Sequence, residues 1–287
     1  MVMIPITWLA SYPKSGNTWF RIFLGNLGTG DGDPVDINAL DGAPIASSRV
    51  SFETFAGLDA SDLTHDEVDQ LRPDVYTHVA LNAVEPPLMK IHDAFGFLSD
   101  GRPMFGGRAV AGAIYFIRNP LDVVVSFANH SGISMDRSIQ TINNQNHQFC
   151  GKMDRQDNQL RQKLLDWSGH VRSWIDDSGL PVHAVRYEDM LDSPVETFYR
   201  AIEFAGIEAT PGEVEMALEK SRFNNLKDQE KKNGFREKVQ GCPAFFNRGE
   251  AGYWRQVLSS SQVAAVCCCH GETMARFGYL DRRGNPL

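Results

Sequence analysis

Thr7-Trp-Leu-Ala-Ser-Tyr-Pro-Lys-Ser-Gly-Asn-Thr-Trp-Phe-Arg-Ile-Phe-Leu24 is the stretch whose order decides the fold. Thr7 to Ser11 reads as a short buried strand. Tyr12 to Asn17 reads as a tight turn of small and polar residues, and Trp19, Phe23 and Leu27 then form an apolar stripe at helical spacing. Strand, small-residue loop and helix in that order make an anion cradle. The loop amides and first helical N–H groups lack intrahelical partners, and the helix dipole adds positive potential where they converge. Lys14 and Thr18 bring a charge and a hydroxyl to the same spot. An ATP-type loop would carry Gly-Lys-Ser/Thr where the helix begins. Here the triplet is Gly16-Asn17-Thr18, and the lysine lies upstream at position 14.

Working outward, the 287 residues, with 42% hydrophobic and 22% charged, suffice for one large α/β domain spanning 1–287. A net charge of −8 argues against broad binding of nucleic acid or anionic membranes, although a local basic cluster can still hold a polyanionic nucleotide. No stretch approaches the ~20 apolar residues of a membrane span, so stable membrane insertion is not expected. No signal peptide is evident. Cys150, Cys242 and the adjacent Cys267, Cys268 and Cys269 do not form a disulfide framework, and a cytoplasmic location fits them. On a helix those three cysteines splay apart, while Val263, Cys267, His270, Met274 and Phe277 share a face. That reads as core packing, and no metal is expected.

Residues 28–48 read as an irregular loop. Thr64 to Glu67 forms a capping box opening a helix expected to end before Pro73. Strands are expected at Pro87–Ile91, Ala109–Ile117 and Pro181–Arg186, with a glycine-rich loop at 96–108. Asn119 caps the next helix and Pro120 suits its first position. Leu160, Leu164, Trp167, Val171 and Trp174 predict one long helix over 154–178. Further helices are expected from Tyr187, across 194–206 and 211–221, and in a last segment ending near Gly278. Residues 223–247 read as a mobile loop. This alternation predicts a single P-loop-type α/β domain, its central parallel sheet flanked by helices on both faces, with ligands at the carboxyl ends of strands.

Tyr12-Pro-Lys-Ser-Gly-Asn-Thr-Trp19 resembles the 5′-phosphosulfate loop of sulfotransferases that use 3′-phosphoadenosine 5′-phosphosulfate (PAPS). Two further segments resemble the same family. Arg118-Asn-Pro-Leu-Asp-Val-Val-Val-Ser126 matches its 3′-phosphate segment, and Phe246-Asn-Arg-Gly-Glu-Ala-Gly-Tyr-Trp254 is close to its Arg-Lys-Gly-x-x-Gly-x-Trp, with Asn247 at a position often basic in relatives. Lys90-Ile-His92 resembles its Lys-x-His. The resemblance, covering about residues 7–258, implies a PAPS-dependent sulfotransferase needing no metal. It implies that Lys14, Ser15, Gly16, Asn17 and Thr18 bind the 5′ side and that Arg118, Ser126, Arg248 and Gly249 bind the 3′-phosphate. Trp19, Tyr187 and Phe223 would bind the adenine. His92 would take the acceptor proton, and Lys14 and Lys90 would neutralise charge.

Two other readings share the anion cradle. A P-loop kinase or nucleotidase would need Gly-Lys-Ser/Thr and a Mg²⁺-holding Asp, neither of which is seen. A non-catalytic adenine-nucleotide-binding protein would not need His92. The other histidines at 65, 78, 130, 147, 170 and 183 read as surface or satisfied core residues. The expected partner is a small-molecule acceptor with a hydroxyl, entering among loops 28–60, 94–106, 130–155 and 228–247, where Phe55, Phe95, Phe97, Phe149 and Phe245 are candidate walls. Arg255-Gln-Val-Leu-Ser-Ser-Ser does not match the dimer segment of many cytosolic relatives, so the oligomeric state is not assigned.

Overall fold

The computed structural model describes residues 2–40, 42–152 and 154–287; positions 41 and 153, inside two of the expected acceptor loops, lie outside the described residues. Along the chain run β1 (Ile6–Ser11), α1 (Asn17–Leu27), α2 (Arg49–Ala56), a 3₁₀ turn (Ala60–Asp62), α3 (His65–Asn82), β2 (Leu88–Ile91) and β3 (Val110–Ile117). They are followed by α4 (Pro120–Ser131), α5 (Met135–Ile142), β4 (Gln148–Phe149), β5 (Gln162–Lys163), α6 (Trp167–Ile175) and β6 (Val182–Arg186). The carboxyl-terminal part is helical: α7 (Tyr187–Asp192), α8 (Pro194–Phe204), α9 (Pro211–Lys220), α10 (Phe223–Asn233), α11 (Trp254–Val257) and α12 (Ser260–Arg276).

The central sheet has the order β2-β1-β3-β6, and β1 runs parallel to β2 with Leu9 opposite Lys90 and Ala10 opposite Ile91. Every residue of β1 and β2 is buried, the pattern of parallel strands covered on both faces. The fold is therefore α/β with a central parallel sheet flanked by helices.

The chain divides into two compact units. Residues 1–12, 43–115 and 145–184 make the first, and residues 13–42, 116–144 and 185–287 the second. In the first, Trp8 donates from Nε1 to the Phe105 carbonyl at 2.8 Å and packs edge-on against Tyr76. In the second, Ile22, Ile37, Leu40, Leu226, Phe235 and Phe246 form a buried cluster. Burying an aliphatic or aromatic side chain of this kind contributes about 1.5–3 kcal/mol.

Several sequence expectations are corrected. Thr64 and Glu67 close the capping box, but α3 runs through Pro73 to Asn82. Val68, Arg72, Val75, Tyr76 and Ala80 are buried on both sides of the proline. Their packing outweighs the roughly 3 kcal/mol that an interior proline costs. The helix expected over 154–178 begins only at Trp167, capped by Asp166. Leu160 and Leu164 are buried as their spacing suggested, but from extended backbone: their N–H groups donate to the Ser47 and His147 carbonyls at 2.7 and 2.8 Å. Leu165, at φ 60, then turns the chain into α6.

The expected loop 223–247 opens with α10. Its apolar signal is weak because it anchors through one leucine and one carboxylate: Leu226 and Glu230 are buried, and Glu230 accepts from the Phe245 and Phe246 N–H groups at 2.8 and 2.9 Å. Helices α2 and α5, in or beside the expected loops, are additional. On α12, His270 and Met274 are buried, but Cys267 is half-buried and Cys268 and Cys269 are exposed, so the cysteine run is not core.

Candidate active site

In the second unit, Gly16 caps α1 at φ 104, without a side-chain hydrogen bond on the cap. Lys14 is also left-handed, at φ 73. A Cβ on Gly16 would stand 2.9 Å from Tyr187 Cδ2, so the turn lies against that ring and only glycine fits it. Ser15 is buried, and its Oγ has no hydrogen-bond partner.

Arg118, at the end of β3, ties the motifs together. Its Nη1 donates to the Lys14 carbonyl at 3.4 Å and its Nη2 to the Glu250 carbonyl at 2.9 Å, while its guanidinium lies 4.1 Å over the Tyr187 ring. Its Nε is buried without a partner. Buried donors are normally satisfied, so the unpaired Arg118 Nε and the unpaired Ser15 hydroxyl of the helix-start cradle each fit an anionic ligand. Burial raises the Tyr187 phenol pKa, although the Arg118 charge opposes the shift. Tyr187 therefore stays protonated near neutrality.

Trp19 donates from Nε1 to the Ser221 carbonyl at 3.0 Å, with its ring edge-on to Tyr187 at 6.2 Å. Gly249, at φ 70, is pressed against Phe223: a Cβ there would come within 2.3 Å of the ring. The turn that carries it is held by Asp122, whose carboxylate accepts from the Gly252 and Trp254 N–H groups at 2.6 and 3.1 Å. Arg248 is exposed and donates to the Tyr253 hydroxyl at 2.9 Å. Two partners lie on the cradle itself. The Lys14 ammonium sits 4.0 Å from the Phe245 ring centroid, and Glu237 accepts from Thr18 at 3.4 Å and from buried Arg21 at 2.6 Å. Asn17 is buried at the start of α1. Ser126 is half-buried on α4 and is not hydrogen-bonded to Arg118.

In the first unit, β2 delivers Lys90 and His92. Lys90 is buried, its main chain bonded to the Pro44 carbonyl and the Ala46 N–H at 2.9 and 2.8 Å. His92 is half-buried, its Nδ1 2.9 Å from the Ser11 carbonyl and 3.2 Å from the Ser11 hydroxyl. A carbonyl can only accept, so Nδ1 carries a hydrogen, and in the neutral ring the lone pair is then on Nε2. That is the tautomer a proton acceptor needs.

One face of α6 grips the main chain beyond His92. His170 Nε2 lies 3.0 Å from the His92 carbonyl, Trp174 Nε1 donates to the Asp93 carbonyl at 2.9 Å, and Ser173 Oγ accepts from the Phe95 N–H at 3.0 Å. Residues i, i+3 and i+4 share a helix face, which is why these three act together. Asp93 is in turn held by both terminal nitrogens of buried Arg72, at 2.9 and 3.0 Å.

Thus Lys14, Gly16, Trp19, Arg118 and Tyr187 are linked in one unit, with Phe223 and Gly249 packed together in the same unit, while Lys90 and His92 belong to the other. Sequence reasoning missed Ser11, Asp122, Glu237 and the acceptor and donor roles of α6. The signal available was the polar spacing His170, Ser173, Trp174 inside an otherwise apolar helix face.

A family model described as a sulfotransferase domain matches residues 5–278. The chain is 25% identical over 280 residues to rat sulfotransferase 2A2, covering 94% of this chain and 84% of that protein. It is 23% identical over 273 residues to cytosolic sulfotransferase 16 of Arabidopsis thaliana, covering 90% and 72%. The fold is shared with retinol dehydratase in complex with androsterone and the inactive cofactor PAP (TM-score 0.58, 16% identity, 96% and 82% of the two chains). It is also shared with a mouse sulfotransferase complexed with PAP (TM-score 0.57, 17% identity, 99% and 88%).

Proposed function

This chain belongs to the sulfotransferase family, and from that premise we propose that it transfers a sulfuryl group from PAPS to a hydroxyl of a small-molecule acceptor, with His92 as the general base. The family match runs through both compact units, which supports reading 1–287 as one sulfotransferase domain.

The observation that carries the donor assignment is the convergence on Arg118. One guanidinium meets the Lys14 turn, the Gly249 segment and the Tyr187 ring, which the sequence places far apart. Lys14, Ser15, Gly16, Asn17 and Thr18 would hold the 5′ phosphosulfate, while Arg118, Ser126, Arg248 and Gly249 would hold the 3′-phosphate. Trp19, Tyr187 and Phe223 would enclose the adenine. The PAP-bound structures with this fold, and the unpaired Ser15 hydroxyl and Arg118 Nε, support that reading.

As the acceptor oxygen attacks sulfur, His92 Nε2 takes its proton. The bond from sulfur to the bridging phosphate oxygen breaks, and Lys14 neutralises the charge left on that oxygen. Lys90 and Thr18 steady the sulfuryl oxygens. As in phosphoryl transfer, the protein's work is positioning and charge stabilisation. The acceptor class is a hydroxylated small molecule; androsterone and retinol are bound by relatives of this fold. Among the described residues no helix is long and apolar enough to cross a membrane. The cytosolic relatives support a cytoplasmic location.

Calorimetric titration of the native protein and Arg118→Ala with PAP, AMP and MgATP tests the assignment. Tight binding of PAP alone, without Mg²⁺ and sharply weakened by the substitution, is the expected result. Equal or tighter binding of MgATP, unaffected by the substitution, overturns it in favour of a kinase.

A further inference from the structure

We propose that His170 is a positioning residue for the base: through the His92 carbonyl it fixes the main chain so that His92 stays in the tautomer with Nε2 unprotonated. The inference rests on the reading of His92 as the general base, and deepens it.

Hydrogen-bond directions along the chain of groups allow one consistent assignment. The His92 carbonyl can only accept, so His170 Nε2 must donate to it across 3.0 Å. His170 Nδ1 then keeps its lone pair, and the Tyr115 hydroxyl, 2.7 Å away, donates to it. At the other end His92 Nδ1–H donates to the Ser11 carbonyl at 2.9 Å. Each proton thus has one place, from Tyr115 through His170 and the 92 peptide to Ser11.

The surroundings favour this arrangement. His170 is fully buried, with the Tyr12 ring edge-on at 5.4 Å. Burial holds its pKa down at about 4, so it stays neutral with a single N–H. Burial also raises the Tyr115 phenol well above its ordinary value, so that group keeps the proton it donates. Had His170 only filled space, an apolar side chain would serve as well. Instead both ring nitrogens are bonded, one of them to the peptide carbonyl of the proposed base. Without that donor the His92 carbonyl loses its partner while Trp174, Ser173 and Arg72 still hold the residues beyond it, and the fixed approach of Nδ1–H to Ser11 loosens.

Two nearly isosteric substitutions separate this role from a structural one. The amide nitrogen of His170→Gln reaches about where Nε2 lies and keeps the donor. The shorter His170→Asn side chain keeps only the side facing Tyr115. In ¹⁵N-histidine-labelled protein, long-range ¹H–¹⁵N correlation reads the tautomer of His92, identified by its loss in His92→Ala. We expect the native and Gln proteins to show the single tautomer with the hydrogen on Nδ1. In Asn, the tautomer ratio should fall by up to about tenfold, the worth of one hydrogen bond. Thermal unfolding reports whether each variant is folded. If Asn does not fold, Tyr115→Phe, which frees the His170 ring to turn, must move the His92 signal in the same direction. A His92 spectrum unchanged in the folded Asn variant, or in Tyr115→Phe, overturns the proposal. Full turnover of PAPS by His92→Ala would instead sink the base reading, while the tautomer result would still decide what His170 does.

Discussion

The segment that carries the proposed base and the cradle proposed for the donor are held by opposite means. Residues 92–95 are fixed through their main chain by buried side chains, chiefly His170, Ser173, Trp174 and Arg72 acting through Asp93. In the cradle the side chains proposed to bind the donor are themselves engaged: Lys14 with Phe245, Thr18 with Glu237, and Arg248 with Tyr253. A phosphate would have to exchange these contacts for its own. The proposed base is thus organised before any ligand arrives, whereas the cradle is organised around contacts that charge can replace. Proton acceptance demands one orientation; phosphate capture tolerates rearrangement because charge-assisted hydrogen bonds are strong.

The largest expected effect is on the fixed side. His92→Ala should lower kcat by about 10²–10⁴-fold, the usual worth of general base catalysis, and leave PAP affinity unchanged in a calorimeter. A matching loss of PAP affinity would erase the distinction between the two regions. On the exchangeable side, Arg118→Ala should weaken PAP binding by about 2–3 kcal/mol, because charge-assisted hydrogen bonds are lost, and should also lower the thermal midpoint, because its bonds to the Lys14 and Glu250 carbonyls go with it.

Acid tests the fixed side again. His170 has a folded pKa of about 4 against an ordinary 6.5, so the unfolded chain binds more protons between those values. Stability is full above about pH 6.5 and is lost as pH falls toward 4, by on the order of 3 kcal/mol for this one group. Urea titrations of native and His170→Gln should show a shallower acid slope in the variant. The smallest effect belongs to the cradle's frame. Gly249→Ala, strained at φ 70 and pressed on Phe223, should cost about 1–2 kcal/mol of stability, read as a thermal shift of a few degrees.

The same contrast governs what the sequence made legible. The cradle lies in local order, strand then turn then helix, with Lys14, Gly16 and Thr18 at fixed offsets, so the chain announces it. The strands at Pro87–Ile91 and Ala109–Ile117 were equally readable from apolar runs. The clamp on 92–95 was not, because its partners come from α3 and α6 and bind main-chain atoms, which leave no side-chain motif. The misreadings share that origin. Leu160 and Leu164 have helical spacing but earn burial through long-range bonds to Ser47 and His147. Pro73 reads as a stop only until the buried Arg72–Asp93 pair is known. Helix α10 looked like a loop because its anchor is Glu230, a carboxylate that caps the N–H groups of Phe245 and Phe246.

The α6 grip has a practical corollary for engineering. Hydrogen bonds to carbonyls and amides are blind to the side chains those residues carry. Phe97, which is 58% exposed, stands just beyond the gripped segment. A combinatorial library at positions 96 and 97 can therefore sample new surface chemistry next to the gripped segment while the scaffold keeps its registration, as a tool holder keeps its alignment when the bit is changed.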